Sequence, residues 1–239
     1  MTIMLASAGD GVALIRLARP HRRNALDSLS ATRLAEAIGT TCDAKAIVVT
    51  GAGSAFCSGD DLYEISTASA DRFRKAIEAL QRITLAILDA PVPVIAAING
   101  AAMGAGLELT LACDLRIAAT TATFGCPEVR WGLTVTNGAS VLLPDLVGAE
   151  HADSMIAEGR TFDAQWALAA GLVHEVVPGE HLIRRAALMA RGLNRRRHVE
   201  DRPRLLAALS EETRVACGAW HQETAQRALA EFRAGKELS

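Results

Sequence analysis

One plan occurs twice in this chain. Residues 46–62 run from the apolar strand Val48-Val49-Thr50 through a Gly/Ala/Ser turn to Gly59-Asp60-Asp61-Leu62, and residues 94–109 run from Ile95 through a similar turn to Gly104-Ala105-Gly106-Leu107-Glu108. A strand that feeds a helix through a turn of small residues is a unit of α/β architecture, and the alternation of such runs along the chain points to that class. It also has chemical content. The first N–H groups of a helix have no intrahelical acceptor and carry partial positive charge, so both turns offer donors aimed at developing negative charge. Two copies are too few to define a solenoid.

The rest of the chain alternates in the same way. Strand-like runs fall at 12–17, 46–50, 94–98, 115–118 and 122–124. Between the first two, Asp27 is placed to cap a helix that carries Leu29, Leu34 and Ile38 on one side. Residues 71–89 set Phe73, Ile77, Leu80, Ile83, Leu85 and Leu88 against Arg72, Arg74, Lys75, Glu78 and Arg82, the pattern of an amphipathic helix, which Pro91 and Pro93 end. From about residue 150 helices dominate, with Asp163 as an N-cap and Gly171 as a stop before the strand-like run 172–177. Further helices are predicted over 181–193, 203–217 and 220–234. The expected division is a core over 1–190 and a helical region over 191–239 that packs on its own core or on a neighbouring subunit.

Composition narrows the function. Of 239 residues half are hydrophobic, and the net charge is −2, so the chain buries a sizeable core and lacks the basic field that nucleic acids or membrane surfaces require. A small molecule is the expected partner. Cys42, Cys57, Cys113, Cys126 and Cys217 form an odd set without metal-ligand spacing, which fits a reducing cytoplasm and argues against a zinc site or disulfide framework. The apolar runs are too broken to span a bilayer.

Glu108 stands out because nearly every neighbour in Gly106-Leu107-Glu108-Leu109-Thr110-Leu111 is apolar or small. Buried carboxylates are costly unless paired or used, and Arg116 is the obvious partner if the role is structural. Glu128, after Pro127, reads on its own either as a functional acid or as a loop acid bonded to Arg130. Asp60 and Asp61 resemble a carboxylate pair, yet Asp61 with Glu64 reads better as a capping box, which leaves the backbone N–H of Asp60 as the donor of interest. Gly51-Ala52-Gly53 after a strand lacks a third glycine, Phe56 taking its place, so a dinucleotide site is not indicated. Arg195-Arg196-Arg197-His198 is either a phosphate clamp or a solvated charge run.

Taken in order, these motifs resemble the enoyl-CoA hydratase/isomerase (crotonase) superfamily over nearly the whole chain. Arg19-Pro20 through Asn24-Ala25-Leu26, Phe56-Cys57-Ser58-Gly59-Asp60-Asp61-Leu62, Pro93 through Asn99-Gly100, Gly104-Ala105-Gly106-Leu107-Glu108 and Phe124-Gly125-Cys126-Pro127-Glu128 carry the likeness. Gly159-Arg160 through Ala167, Gly171-Leu172-Val173 and Val177-Pro178 extend it. The resemblance implies a crotonase-like spiral of ββα units with a C-terminal helical region, assembled as a homotrimer or dimer of trimers. It implies an acyl-CoA thioester as substrate and no metal or redox cofactor. Glu108 and Glu128 then become the catalytic acid/base pair, and the N–H groups of Asp60 and Ala105 the oxyanion hole. Arg22, Ala25, Ser58, Asp60, Asp61, Leu62 and Ala105 are the implied CoA and substrate contacts. Having both glutamates favours hydration of a 2-enoyl-CoA; the alternatives are Δ3,Δ2-enoyl-CoA isomerisation or a non-catalytic acyl-CoA binder.

Three features depart from the pattern. Asp60 stands where Ala is common, which is a cost beside the hole unless its side chain points away. Ala105 stands where the middle Gly is common. Where hydratases typically read I-P-G-A-G-G, this chain has Thr134-Val135-Thr136-Asn137-Gly138-Ala139.

Overall fold

The computed structural model describes residues 2–41, 43–193 and 201–235; the Arg195–His198 run and Cys42 lie outside them. The chain opens with a hairpin of β1 (Ile3–Ser7) and β2 (Val12–Leu17), followed by α1 (Ser28–Thr40). Then come β3 (Ala46–Gly51), β4 (Ala55–Cys57), α2 (Leu62–Thr67) and α3 (Ala70–Asp89). Next are β5 (Val94–Ile98), β6 (Ala101–Met103) and α4 (Ala105–Leu111), and after them β7 (Leu115–Ala119), β8 (Thr123–Gly125) and a 3-10 turn, Pro127–Trp131. The remainder is α5 (Ala139–Val147), α6 (Ala149–Glu158), β9 (Phe162–Asp163), α7 (Ala164–Ala169), β10 (Glu175–Val177), α8 (Leu182–Gly192), α9 (Arg202–Trp220) and α10 (Glu223–Arg233).

The long strands line up in one sheet, in the order β1-β2-β3-β5-β7-β10, and the short ones in a second, β4-β6-β8-β9. Each unit of long strand, short strand and helical segment therefore advances one place in both sheets, and the chain winds as a spiral of ββα units. From β2 to β10 the first sheet is parallel, with Ile47 opposite Val94 and Ile95 opposite Leu115. The plan visible twice in the sequence has a third copy at 115–131. It escaped notice because its helical segment is a 3-10 turn opened by Pro127 and not a glycine-led α-helix.

Both faces of the first sheet are covered, which is why its strands read as continuous apolar runs. Alternate residues divide between two cores. Ile47, Val49, Ala96 and Ile98 meet Leu34 and Ile83 on one side, while Val48, Ile95 and Ala97 meet Leu182 and Ala186 of α8 on the other. Each fully buried Ile or Leu contributes about 1.5–3 kcal/mol.

Several local expectations need correction. Leu29 is 53% exposed, because five residues of helix turn it well away from Leu34, whereas Asp27 does cap α1 by accepting from Ser30 N at 2.7 Å. Asp61 caps α2 through Tyr63 N at 3.1 Å, but the reciprocal half of the box does not form: Glu64 Oε2 accepts from Ser28 N at 2.7 Å, and the Asp61 N–H donates to Leu26 O at 2.9 Å. Glu64 thus ties α2 to α1. The run 172–177 becomes strand only from Glu175, since Val173 N still donates to Ala167 O in the turn that closes α7.

The helix α9 packs on its own chain. Its Leu205 and Leu209 join the main core, and Gln81 of α3 donates to Leu209 O at 2.7 Å while accepting from Thr213 Oγ1 at 3.2 Å. Among the described residues no helix is long and apolar enough to cross a membrane.

Candidate active site

Two glycine turns face each other where the first and second units meet. Gly59 has φ +93°, and a Cβ on it would lie 2.7 Å from Met103 O and 3.4 Å from Ala105 N. Gly104 has φ +51°, and a Cβ there would fall 2.6 Å from Glu128 Oε1. Only glycine meets both demands, a left-handed backbone and contact with another segment. Asp60 and Ala105 immediately follow these glycines. Ala105 opens α4, where the N–H has no intrahelical acceptor.

Glu108 lies in the first turn of α4, 1% exposed, and Glu128 lies in the 3-10 turn, 8% exposed. Burial raises Glu108 well above the ordinary carboxylate range, with the charge of Glu128 adding to it and the Thr136 N–H opposing. Burial also pushes Glu128 up to about 8, against its own backbone N–H and with help from Asp60. Two buried carboxyls whose hold on a proton is raised by their setting are suited to general acid/base work.

The donors that hold Glu108 are uncharged. Both oxygens of Glu108 are held by the loop before α5: Thr136 N donates to Oε1 at 2.8 Å, and Thr136 Oγ1 and Asn137 Nδ2 donate to Oε2 at 3.0 and 2.8 Å. Arg116 turns to the carbonyls of Leu172, Cys113 and Thr110, at 2.7, 2.8 and 3.3 Å. Glu128 Oε2 is buried without a hydrogen-bond partner, and Arg130 is exposed.

Asp60 does not point away. It lines a narrow cavity of about 20 Å³ together with Glu128, Thr134 and Thr136, and Ile65, Phe73, Ile77, Leu133 and Ala216 supply its apolar wall. Burial pushes the Asp60 carboxyl up to about 6, with the nearby Asp60 backbone N–H opposing. Helix capping falls to Asp61 alone, whose Oδ2 also accepts from Arg19 Nη2 at 2.8 Å. Phe73 is backed by Trp220 of α9, with ring centroids 5.2 Å apart. Beside the turn, burial pushes the Cys57 thiol up to about 12, so it stays protonated.

The remaining predicted contacts form a strip along Asp60. The 22–26 turn pairs with 58–61 through Ser58 N to Arg23 O at 3.0 Å and Leu26 N to Gly59 O at 2.8 Å. Ser58 Oγ donates to Arg22 O at 3.3 Å, and the exposed Arg22 guanidinium stacks 4.4 Å over Tyr63. Ala25 is buried, its carbonyl accepting from Arg19 Nη1 at 2.7 Å, and Leu62 begins α2. The side chains of Thr136, Asn137 and Glu212 were not picked out from the sequence. For Thr136 and Asn137 the advance signal was the set of polar residues in the altered 134–139 stretch, and Glu212 had none. Among the described residues no group of three or more His, Cys, Asp or Glu side chains is gathered to hold a metal ion.

Residues 7–230 match the family model described as enoyl-CoA hydratase/isomerase. The chain is 39% identical over 188 residues to a protein named probable enoyl-CoA hydratase from Rhodobacter capsulatus, covering 77% of this chain and 73% of that one. It is 39% identical over 170 residues to the probable enoyl-CoA hydratase echA6 of Mycobacterium bovis, covering 70% and 68%. Among solved structures, an enoyl-CoA hydratase/isomerase from Xanthobacter autotrophicus superposes with a TM-score of 0.83 at 30% identity, over 98% of this chain and 93% of that one.

Proposed function

This chain belongs to the enoyl-CoA hydratase/isomerase family, and from that premise we propose that it adds water to the conjugated double bond of 2-enoyl-CoA thioesters. The thioester oxygen is held by the N–H groups of Asp60 and Ala105, which stabilise the enolate; one such donor is worth roughly 3 kcal/mol of barrier. Glu108 takes a proton from water as the oxygen adds at C3. Glu128 delivers its own proton to C2. Passage of the proton taken by Glu108 back to Glu128 restores the pair.

The observation that carries this reading is the unequal hydrogen bonding of two buried acids, Glu108 being held by three donors and Glu128 Oε2 by none among the described residues. Glu128, pushed up to about 8 by burial, is protonated at neutral pH, and its Oε2 has no competing partner. Glu108 uses three acceptor positions on Thr136 and Asn137; of the roughly four lone-pair sites of a carboxylate one remains, on Oε1, for a water proton. The apolar wall of Phe73, Ile77 and Leu133 suits the acyl chain.

The free Oε2 of Glu128 also supports a second reading, in which that carboxyl moves a proton between C4 and C2 of a 3-enoyl-CoA. Following the conjugated absorbance separates them: hydration removes it from a 2-enoyl-CoA, and isomerisation creates it from a 3-enoyl-CoA. Tight acyl-CoA binding without either change would leave a non-catalytic binder. The same reading has the protein working in the cytoplasm as a homotrimer or dimer of trimers, without a metal or redox cofactor. Residues 1–190 then hold the acyl-CoA and 191–239 supply the region for lid and trimer contacts.

A further inference from the structure

The loop that joins the 3-10 turn to α5 is anchored on three sides. Thr84 Oγ1 of α3 donates to Asn137 O at 3.1 Å. Glu212 of α9 accepts from Gly138 N at 2.7 Å and from Ser140 N and Oγ at 3.0 and 2.6 Å, covering the start of α5. Toward α4, the Thr136 and Asn137 side chains both end on Glu108 Oε2. Asn137 is 1% exposed and has φ +57°, a left-handed backbone that asparagine tolerates better than most residues. Its Nδ2 faces Glu108 as a donor, which suits the ionised carboxylate.

This arrangement has a purpose that fold stability alone does not require. Glu108 faces like charges from every side: Glu128 in the 3-10 turn, Asp60 in the turn before α2, and Glu212 in α9. The Cys126 thiol also lies beside the pair, and burial keeps it protonated. Against those charges stand the donors of Thr136 and Asn137. In the I-P-G-A-G-G stretch typical of hydratases, the Gly and Ala at these two positions have no side-chain donor, so two of the three bonds belong to this chain's own sequence.

Resting on the reading of Glu108 as the group that activates water, we propose that Asn137 and Thr136 are positioning residues whose side chains aim Glu108 and favour its ionised form against the burial and like charges that oppose it. Glu128 is then the one member of the pair that carries the transferable proton. The altered 134–139 stretch is on this account a replacement support for the base.

Two variants remove one donor each. Asn137→Gly keeps a left-handed backbone, and Thr136→Val keeps the outline and the backbone N–H. Each is expected to lower kcat/KM on a 2-enoyl-CoA about tenfold at neutral pH. The loss should fall on kcat more than on KM and recover as pH rises, because weaker support for the anion moves its ionisation upward. A readout independent of turnover is the carbon-13 carboxyl titration of Glu108 without substrate, its signal identified by its disappearance in Glu108→Gln. It moves to higher pH in both variants. An unmoved titration, or an activity loss equal at every pH, overturns the proposal. Absence of hydration by the wild type at every pH, with the titration still moving, overturns the hydration reading and leaves the support of Glu108 standing.

Discussion

Replacing Glu128 by Gln should stabilise the fold, and by an amount that grows with pH. A carboxyl whose folded-state pKa is raised binds its proton more tightly when folded, so stability falls as pH rises from the unfolded value to the folded one. For Glu128 those values are 4.5 and about 8. At about 1.4 kcal/mol per unit, ionising Glu128 costs the fold about 3 kcal/mol at pH 7 and about 5 kcal/mol above pH 8, and nothing well below pH 4. Gln keeps an acceptor for the residue's own N–H and places its amide donor among carboxylates, so it removes this cost without leaving a new unpaired charge. Urea unfolding of wild type and Glu128→Gln without substrate, at one fixed protein concentration and from about pH 5 to about pH 8, tests it. The expected difference is under about 1 kcal/mol at the acid end and several kcal/mol at the alkaline end. A difference that stays constant with pH would refute the reasoning, since it would mean that Glu128 ionises in the fold as it does in water.

Other changes probe the neighbouring parts of the site. Gly104→Ala places a Cβ 2.6 Å from Glu128 Oε1 on a left-handed backbone; the carboxyl must move, and kcat should drop about a hundredfold, measured at saturating acyl-CoA. Asp60→Ala removes a like charge from beside Glu128 and the oxyanion-hole donor pair, so the alkaline limb of the pH–rate profile should shift to lower pH while kcat/KM at pH 6 rises. Glu212→Ala strands the Gly138 and Ser140 donors and should cost about 1–3 kcal/mol in urea unfolding, with a larger loss of kcat than of substrate binding.

The strands and the two glycine turns were legible because period and local chemistry are enough to specify them. A buried strand needs a short apolar run, and a left-handed turn against another backbone needs glycine. Asp27, Asp61 and Asp163 were legible as caps for the same reason, since each bonds within three residues. What escaped the sequence depends on distance along the chain. Thr136 and Asn137 reach Glu108 across 28 and 29 residues, and Glu212 reaches Gly138 across 74. No local pattern announces such a meeting. The capping box failed because Glu64 found a donor on another element, Ser28 of α1. Asp60 was expected to be harmless only if it turned outward. The cap position was already taken by Asp61, which left Asp60 facing the cavity.

The central claim is that Glu108 and Glu128 together place a water and a proton on one double bond. Its most direct measurement is mass spectrometry of a 2-enoyl-CoA incubated with the protein in heavy-oxygen water. Wild type should yield a product heavier by one labelled water, and Glu108→Gln and Glu128→Gln should each yield almost none. A product of unchanged mass, or labelled product formed by either variant at the wild-type rate, would contradict it.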